Sequence, residues 1–396
     1  MNVYDLKQSF ISIFNESPER LFFAPGRINL IGEHTDYNGG KVFPLAITYG
    51  TYAYVKQRKD KKIRFASKNF SQSGIITTSL DHLEKNNETE WVNYPIGVIR
   101  FLKESDYNIE KGFDVLFEGN IPNGAGLSSS ASIEMATGVM VRELAGLSIS
   151  QVELIKLCQR VENEFIGVNS GIMDQFAIGM GKQGQALWLD CDTLEFEYAP
   201  IELKHEKIVI MNTNKRRELA SSKYNERRAE CEQALKIIQK YTNVETLGEL
   251  SIEQLTDVES WLNDSLLYKR VKHVVTENER TKQAYVSLKA GDLEHVGRLM
   301  NDSHQSLKED YEVTGEELDT LAEFAQTQSG VIGARMTGAG FGGCAIAIVK
   351  TDEVDALIKS TRRHYQSRIG YGPDFYVASV GDGAKEISIE GAEQTR

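Results

Sequence analysis

Apolar and polar residues alternate at two different periods along this chain, and the changes of period outline its elements. Near the start, Val3, Leu6, Phe10 and Phe14 recur every three or four residues, the spacing of one face of a helix. Arg20–Ala24 and Gly50–Gln57 are apolar, β-branched or aromatic runs that predict strands, as are Ile63–Ala66 and Gly74–Leu80. Trp91–Leu102 returns to a helical pattern. Gly112–Phe117 reads as a strand leading into a glycine-rich turn, and Ser129–Leu144 as a helix ending near Gly146. Ser150-Gln-Val-Glu153 is a capping box, so a helix is expected from there to about Phe165. Leu187–Leu189 and Phe196–Tyr198 have the look of strands.

Beyond residue 200 the texture changes. Ile208–Met211 predicts a strand, and long helical stretches follow over Leu219–Tyr241, Lys269–Ala290 and Leu293–Lys308. Thr314-Gly-Glu-Glu317 is a second capping box. Strands return at Gly333–Met336, Cys344–Val349 and Phe375–Val380, with a helix over Val354–Gln366. The pattern predicts an α+β protein of two domains, 1–195 and 196–396, with a boundary near 190–205.

Composition narrows the classes. With 396 residues, 41% hydrophobic and 26% charged, the chain can bury a core without disulfides or structural metals. A net charge of −12 argues against nucleic acid as the main partner, since phosphate backbones need a basic footprint. A small anionic ligand needs only a local cradle of donors. Cys158, Cys191, Cys231 and Cys344 are scattered, and no His or Cys spacing suggests zinc. Free thiols point to a reducing, cytoplasmic location. Polar residues interrupt the first helix, so it is no signal-peptide core. No apolar run approaches the roughly 18 residues of a membrane span.

Three segments carry candidate chemistry. Ala24-Pro-Gly-Arg-Ile-Asn-Leu-Ile-Gly-Glu-His-Thr-Asp-Tyr-Asn-Gly-Gly40 follows a strand, and its turn residues predict a loop. It concentrates Arg27, Glu33, His34 and Asp36, a density of carboxylate and imidazole that suits a polyhydroxylated ligand. A solvated loop whose Asp and Asn merely form turns is the plainer reading. Pro122-Asn-Gly-Ala-Gly-Leu-Ser-Ser-Ser-Ala-Ser132 joins a strand to a helix, so its glycines and first-turn N–H groups could approach an anion. Its serines could also serve a hard cation. It lacks the Gly-Lys-Ser/Thr of a Walker loop, and an ordinary helix cap would look the same. In Gly333-Ala-Arg-Met-Thr-Gly-Ala-Gly-Phe-Gly-Gly-Cys-Ala-Ile346, Gly338, Gly340 and Gly343 satisfy GxGxxG. A strand-like run follows rather than a helix, which excludes a dinucleotide fingerprint and leaves a glycine-rich connection close to a ligand. Glu162 lies late in one helix, and Asp174 opens another, where an Asp is often only a cap.

Together these segments resemble the galactokinase–homoserine kinase–mevalonate kinase–phosphomevalonate kinase family and, within it, the galactokinases. Arg27-Ile-Asn-Leu-Ile-Gly-Glu-His-Thr-Asp-Tyr-Asn-Gly39 is similar to the signature peculiar to galactokinases. Gly124-Ala-Gly-Leu-Ser-Ser-Ser-Ala131 resembles the broader family's phosphate loop, and Gly171-Ile-Met-Asp-Gln-Phe176 and Met336-Thr-Gly-Ala-Gly-Phe-Gly-Gly343 complete the order. The resemblance runs from about residue 20 to 383. It implies the family's two-domain α+β architecture, with the active site in the cleft between domains. It implies ATP- and Mg²⁺-dependent phosphorylation of the anomeric hydroxyl of galactose to α-galactose 1-phosphate, a step of galactose catabolism, by a cytoplasmic monomer.

The resemblance also implies roles. Glu33, His34, Thr35, Asp36, Gly171 and Tyr224 would bind the sugar. Gly124, Ala125, Gly126, Leu127, Ser128, Ser129 and Ser130 would hold the ATP phosphates, and Ser130 and Glu162 would ligate Mg²⁺. Asp174 would take the proton, or mainly orient and stabilise, with Arg27 beside it answering the charge of the transition state. Ser67 and Trp91 would lie on the nucleotide side, although an indole is equally a core residue. A mevalonate or homoserine kinase fits the Glu-His-Thr-Asp-Tyr run poorly. An N-acetylgalactosamine kinase has a closely similar signature. A sugar sensor without catalysis would be expected to have an altered serine stretch, which is intact here.

Overall fold

The first helical stripe folds as α1 (Val3–Phe14), because Leu6, Phe10 and Phe14 share one face and are buried together. The computed structural model describes residues 3–122, 125–215 and 220–389. In chain order there follow β1 (Arg20–Asn29), β2 (Lys41–Val42), β3 (Pro44–Gln57), β4 (Lys62–Ser67), β5 (Ile76–Ser79), α2 (Asn93–Glu104) and β6 (Phe113–Gly119). Next come α3 (Ser129–Ala145), α4 (Gln151–Arg160), α5 (Met173–Met180), β7 (Gln185–Asp190), β8 (Phe196–Pro200) and β9 (Glu206–Asn212). The rest is α6 (Ala220–Ile238), α7 (Leu255–Leu262), α8 (Ser265–Lys289), α9 (Leu293–Glu309), α10 (Glu316–Gln326), β10 (Val331–Thr337), β11 (Cys344–Lys350), α11 (Val354–Ile369), β12 (Asp374–Ala378) and β13 (Lys385–Ile387). This is the expected mixed α+β class. No helix among the described residues is long and apolar enough to cross a membrane.

The largest sheet has the order β13-β1-β3-β6-β4-β5. Side chains alternate across it, so Leu21, Tyr54 and Leu116 face α1 while Phe22, Ala53 and Val115 face the core built with α2, α3 and α4. A second sheet, β10-β11-β9-β12, is antiparallel throughout. Val209, Met211, Ala345 and Ala347 pack on one of its faces in a core with α6, α8, α10 and α11 residues. Ile208, Ile210, Ile346 and Ile348 pack on the other, in a core shared with Ile28, Leu30 and Leu45 of the first half. Burial on both faces explains the unbroken apolar run at Cys344–Val349. β2, β7 and β8 form a small third sheet.

Three local expectations need correction. Residues 25–29 were expected in a loop, yet β1 continues through Pro25-Gly26-Arg27 to Asn29, with its register to β3 shifting between Pro25 and Arg27. An irregularity of this kind re-aims side chains and absorbs residues that would otherwise read as a turn. The helix after Ser150, whose capping box is present, turns into a single π-helical turn at Val161–Ile166. Thr314 does not cap α10. Gly315 occupies that position with φ +79°, and Thr314 is buried with its side chain bonded to Asp319.

Phe10 is fully buried between α1 and the sheet. Phe10→Ala is expected to destabilise the fold by about 3–5 kcal/mol, read from urea denaturation. A loss under about 1 kcal/mol would show that this helix contributes little to the core.

Candidate active site

The register shift in β1 places Arg27 where three segments meet. Its backbone N–H donates to Leu127 O at 3.2 Å, Nη1 to Gly126 O at 2.8 Å and Nε to Asp174 Oδ1 at 2.9 Å. Only 4% of the side chain is exposed, so the carboxylate is a necessary partner for its charge. Ser128, whose φ is +61°, donates its hydroxyl to Asp174 Oδ2 at 2.5 Å. Asp174 therefore has both oxygens oriented from outside α5, and it faces a cavity of about 310 Å³. That is the size of a small-molecule site.

The loop after β1 lines the opposite wall. Glu33 is 1% exposed and is held by Asn29 Nδ2 at 3.1 Å, Gly338 N at 2.7 Å and Arg335 Nη1 at 3.4 Å. Its carboxylate is fixed before any ligand arrives. His34 Nε2 lies 3.2 Å from Ala339 O, which can only accept, so Nε2 carries the proton. Nδ1 then accepts from the Tyr37 hydroxyl at 2.7 Å, Tyr311 donates to Tyr37 at 2.8 Å, and the Cys231 thiol donates to Tyr311 at 3.1 Å. Burial lowers the His34 pKa to about 3, so the imidazole is neutral. Both of its nitrogens are committed, and a ligand hydroxyl meets them only by sharing those bonds.

Asp36 accepts from the backbone N–H groups of Tyr37 and Met173. Burial, then the charges of Asp174 and Glu33, push its pKa up to about 7. Gly171 makes room for it, since a Cβ there would stand 1.9 Å from Asp36 Oδ2. Tyr224 on α6 completes this end of the cavity, its ring 5.5 Å from His34.

Ser128, Ser129 and Ser130 reach the cavity from the start of α3. Gly338 closes on the same loop, with φ +83° and room for no Cβ, which would meet Gly126 O at 2.8 Å. The π-helical turn carries Glu162 into the cavity, and its side chain bonds Ser130. π-helical turns often re-aim functional side chains in this way. A hydroxyl beside a carboxylate is a hard-oxygen pair that fits Mg²⁺, which takes few protein ligands and completes its shell with water and phosphate.

The cavity thus brings together Arg27, Glu33, His34, Asp36, Gly126, Ser128, Ser129, Ser130, Glu162, Gly171, Asp174 and Tyr224 from the sequence reading. Thr35 does not line the cavity, and its buried hydroxyl bonds the carbonyls of Gly32 and Lys41 to close the loop. Ala125 and Leu127 are buried in the shared core, Leu127 meeting the site through its carbonyl. Ser67 and Trp91 do not line the cavity. Trp91 packs in the core of the first half, 6.2 Å from Phe117 and stacked on Phe70. Gly124 lies outside the described residues. Tyr94, Ser170, Met173 and Ala339 also line the cavity and were not anticipated. Ala339 sits in the glycine-rich segment that signalled a close approach, whereas Tyr94 and Ser170 carry no local signal.

Comparison with known proteins follows the same lines. A model of the galactokinase galactose-binding signature matches residues 8–57. Models of the N-terminal and C-terminal GHMP kinase domains match residues 93–182 and 284–367. The galactokinase of Ligilactobacillus salivarius is 57% identical over 382 residues, covering 96% of this chain and 99% of its own. That of Enterococcus faecalis is 56% identical over 382 residues, with the same coverage of 96% and 99%. The crystal structure of Lactococcus lactis galactokinase complexed with galactose superposes with a TM-score of 0.95 at 51% identity, covering 97% of this chain and 100% of that one. Methanococcus jannaschii mevalonate kinase shares the fold, with a TM-score of 0.67 at 20% identity over 92% of this chain and 99% of its own. The site geometry and these likenesses agree: the chain belongs to the galactokinases of the GHMP kinase family.

Proposed function

We propose that this cavity moves the γ-phosphoryl group of ATP onto the anomeric hydroxyl of galactose, giving α-galactose 1-phosphate and ADP. The observation that carries this reading is the convergence of Asp174, its Arg27 partner, the acceptors Glu33 and Asp36, and the start of α3 on one cavity. Asp174 accepts the hydroxyl's proton as the oxygen attacks phosphorus. Arg27 and Ser128 hold that carboxylate in place. Arg27 adds a permanent positive charge beside the transferring group. The Ser129 hydroxyl, with the backbone N–H groups from Ser128 into the first turn of α3, orients the phosphates. Asp36, Glu33 and Tyr224 select the sugar by accepting and donating to its ring hydroxyls. Mg²⁺, held by Ser130 and Glu162, would neutralise phosphate charge.

We read the two halves, 1–195 and 196–396, as domains flanking this cleft. Arg27, Asp36, Glu162 and Asp174 of one half and Tyr224, Gly338 and Ala339 of the other line it, so a monomer suffices. The four cysteines are free thiols, in keeping with a cytoplasmic location.

Asp174→Asn keeps the shape but removes the proton acceptor. Turnover should fall by roughly a hundred- to ten-thousandfold. Galactose affinity, measured by equilibrium dialysis, should change little. Near-normal turnover would remove Asp174 from the role of base.

A pH profile tests the sugar side. Below about 7, Asp36 holds a proton and loses acceptor capacity. kcat/KM for galactose should therefore drop by about tenfold per unit as pH falls below that value, and level off above it. Asp36→Asn should abolish this limb along with most of the activity. A flat wild-type profile through the mildly acidic range would contradict the assignment.

A further inference from the structure

We propose that Gln175 and Glu134 form a buried brace that turns Glu162 toward the cation beside Ser130, making both of them positioning residues for metal binding. The inference rests on the reading of Glu162 as a metal ligand and goes beyond it to two residues with no other part in the site. Gln175 follows Asp174 on α5, but it does not line the cavity and is 0% exposed. Its Nε2 donates to Glu162 Oε2 at 2.9 Å and to Glu134 Oε2 at 3.1 Å. Ser170 Oγ donates to the same Glu162 Oε2 at 3.1 Å. Two donors therefore hold one oxygen of Glu162, while Oε1 carries neither bond and is left for other partners.

Glu134 gives this arrangement its direction. It lies one turn after Ser130 on α3, so the two share a helix face. It is 0% exposed, its Oε1 has no hydrogen-bond partner, and no cation pairs with it among the described residues. Burial, then the charge of Glu162, raise its pKa well above the ordinary carboxyl range. An unpaired carboxyl in a protein interior is costly, and an apolar side chain of similar shape would pack there at less expense. What Glu134 supplies is an acceptor for the second N–H of Gln175. With the amide turned over, its oxygen would face two carboxyl groups. In the observed orientation one amide nitrogen of Gln175 serves an oxygen of each carboxyl group, Glu162 Oε2 and Glu134 Oε2.

The brace also connects the elements that must agree. α5 carries the candidate base, α3 the hydroxyl ligand and the π-helical turn the carboxylate ligand. Gln175 touches the last two from the first, so cation position and base position are set together. Hydrogen-bond partners behind metal ligands typically change metal affinity by about 10- to 100-fold when removed.

Mn²⁺ binding, followed by electron paramagnetic resonance in the presence of a non-hydrolysable ATP analogue, reads this without turnover. Glu134→Leu and Gln175→Leu are each expected to weaken Mn²⁺ binding by about 10- to 100-fold, with galactose affinity unchanged. Glu134→Gln keeps a carbonyl acceptor for Gln175 and should restore binding close to wild type. If a leucine variant does not fold, Gln175→Asn, shorter by one methylene and still polar, should show the same loss. Glu162→Gln is the reference and should also weaken binding. Wild-type Mn²⁺ affinity in the folded Glu134 and Gln175 variants, with loss in Glu162→Gln, overturns the brace and leaves the ligand reading standing. Unchanged affinity in Glu162→Gln overturns both. Parallel loss of Mn²⁺ and galactose binding would mark a general structural effect and also overturn the brace.

Discussion

Arg27 is the interaction on which the rest of the site depends. Its side chain is almost fully enclosed, and a guanidinium cannot shed its charge there. It must therefore be answered on several sides at once. Asp174 answers the charge, Gly126 O takes a second bond, and the backbone of Arg27 itself binds Leu127 O. One buried cation thus ties β1, the loop before α3 and α5 together at one wall of the cavity. Lysine, a point charge on a flexible stem, could not span these directions together.

The same logic explains why the loop after β1 needs the second half of the chain. Glu33 is anchored by Arg335 and Gly338 N, and His34 by Ala339 O. Beneath them, His273 on α8 bonds Glu33 O, and Glu277 accepts from Gly32 N. Glu277 is held down to about 2, with Arg280, His273 and Arg335 the favourable charges that outweigh its burial. The second sheet is buried on both faces, one of them against Ile28, Leu30 and Leu45. Apolar packing between the halves therefore fixes the positions of the polar groups above it. Two carboxyl groups, the buried Glu33 and the partly buried Asp36, are kept near enough for the charge of one to act on the other. That arrangement costs stability and favours a ligand whose hydroxyls satisfy them.

Much of this was legible in the sequence, for reasons that can be named. The strands of the first sheet, covered on both faces, read as apolar, β-branched or aromatic runs, and the long helices after residue 200 carry the helical period of a packed face. The signature loop was legible because four functional side chains sit close together in sequence. Other features were hidden by tertiary context. Pro25-Gly26 reads as a turn but lies in a strand whose partner absorbs the irregularity. Thr35 stands among cavity-lining residues yet spends its hydroxyl on backbone carbonyls. Thr314 fits a capping box, but Asp319 takes its hydroxyl. The π-helical turn that aims Glu162 leaves no mark that separates it from an ordinary helix. Glu134 and Gln175 look like helix-surface polar residues, and only the packing of α3 against α5 shows that they are buried.

The central claim is that the acceptors Glu33 and Asp36, set opposite Asp174, make this a kinase for galactose. Glucose differs from galactose in the orientation of one ring hydroxyl, and a misplaced hydroxyl leaves a desolvated carboxylate unpaired, at a cost on the order of a few kcal/mol. A coupled ADP-release assay with purified protein, run across galactose, glucose, N-acetylgalactosamine and mevalonate, measures this directly. The account predicts ADP release with galactose at a specificity constant on the order of a hundredfold or more above glucose, and none with mevalonate. Equal use of glucose and galactose, or turnover only with another acceptor, would contradict it.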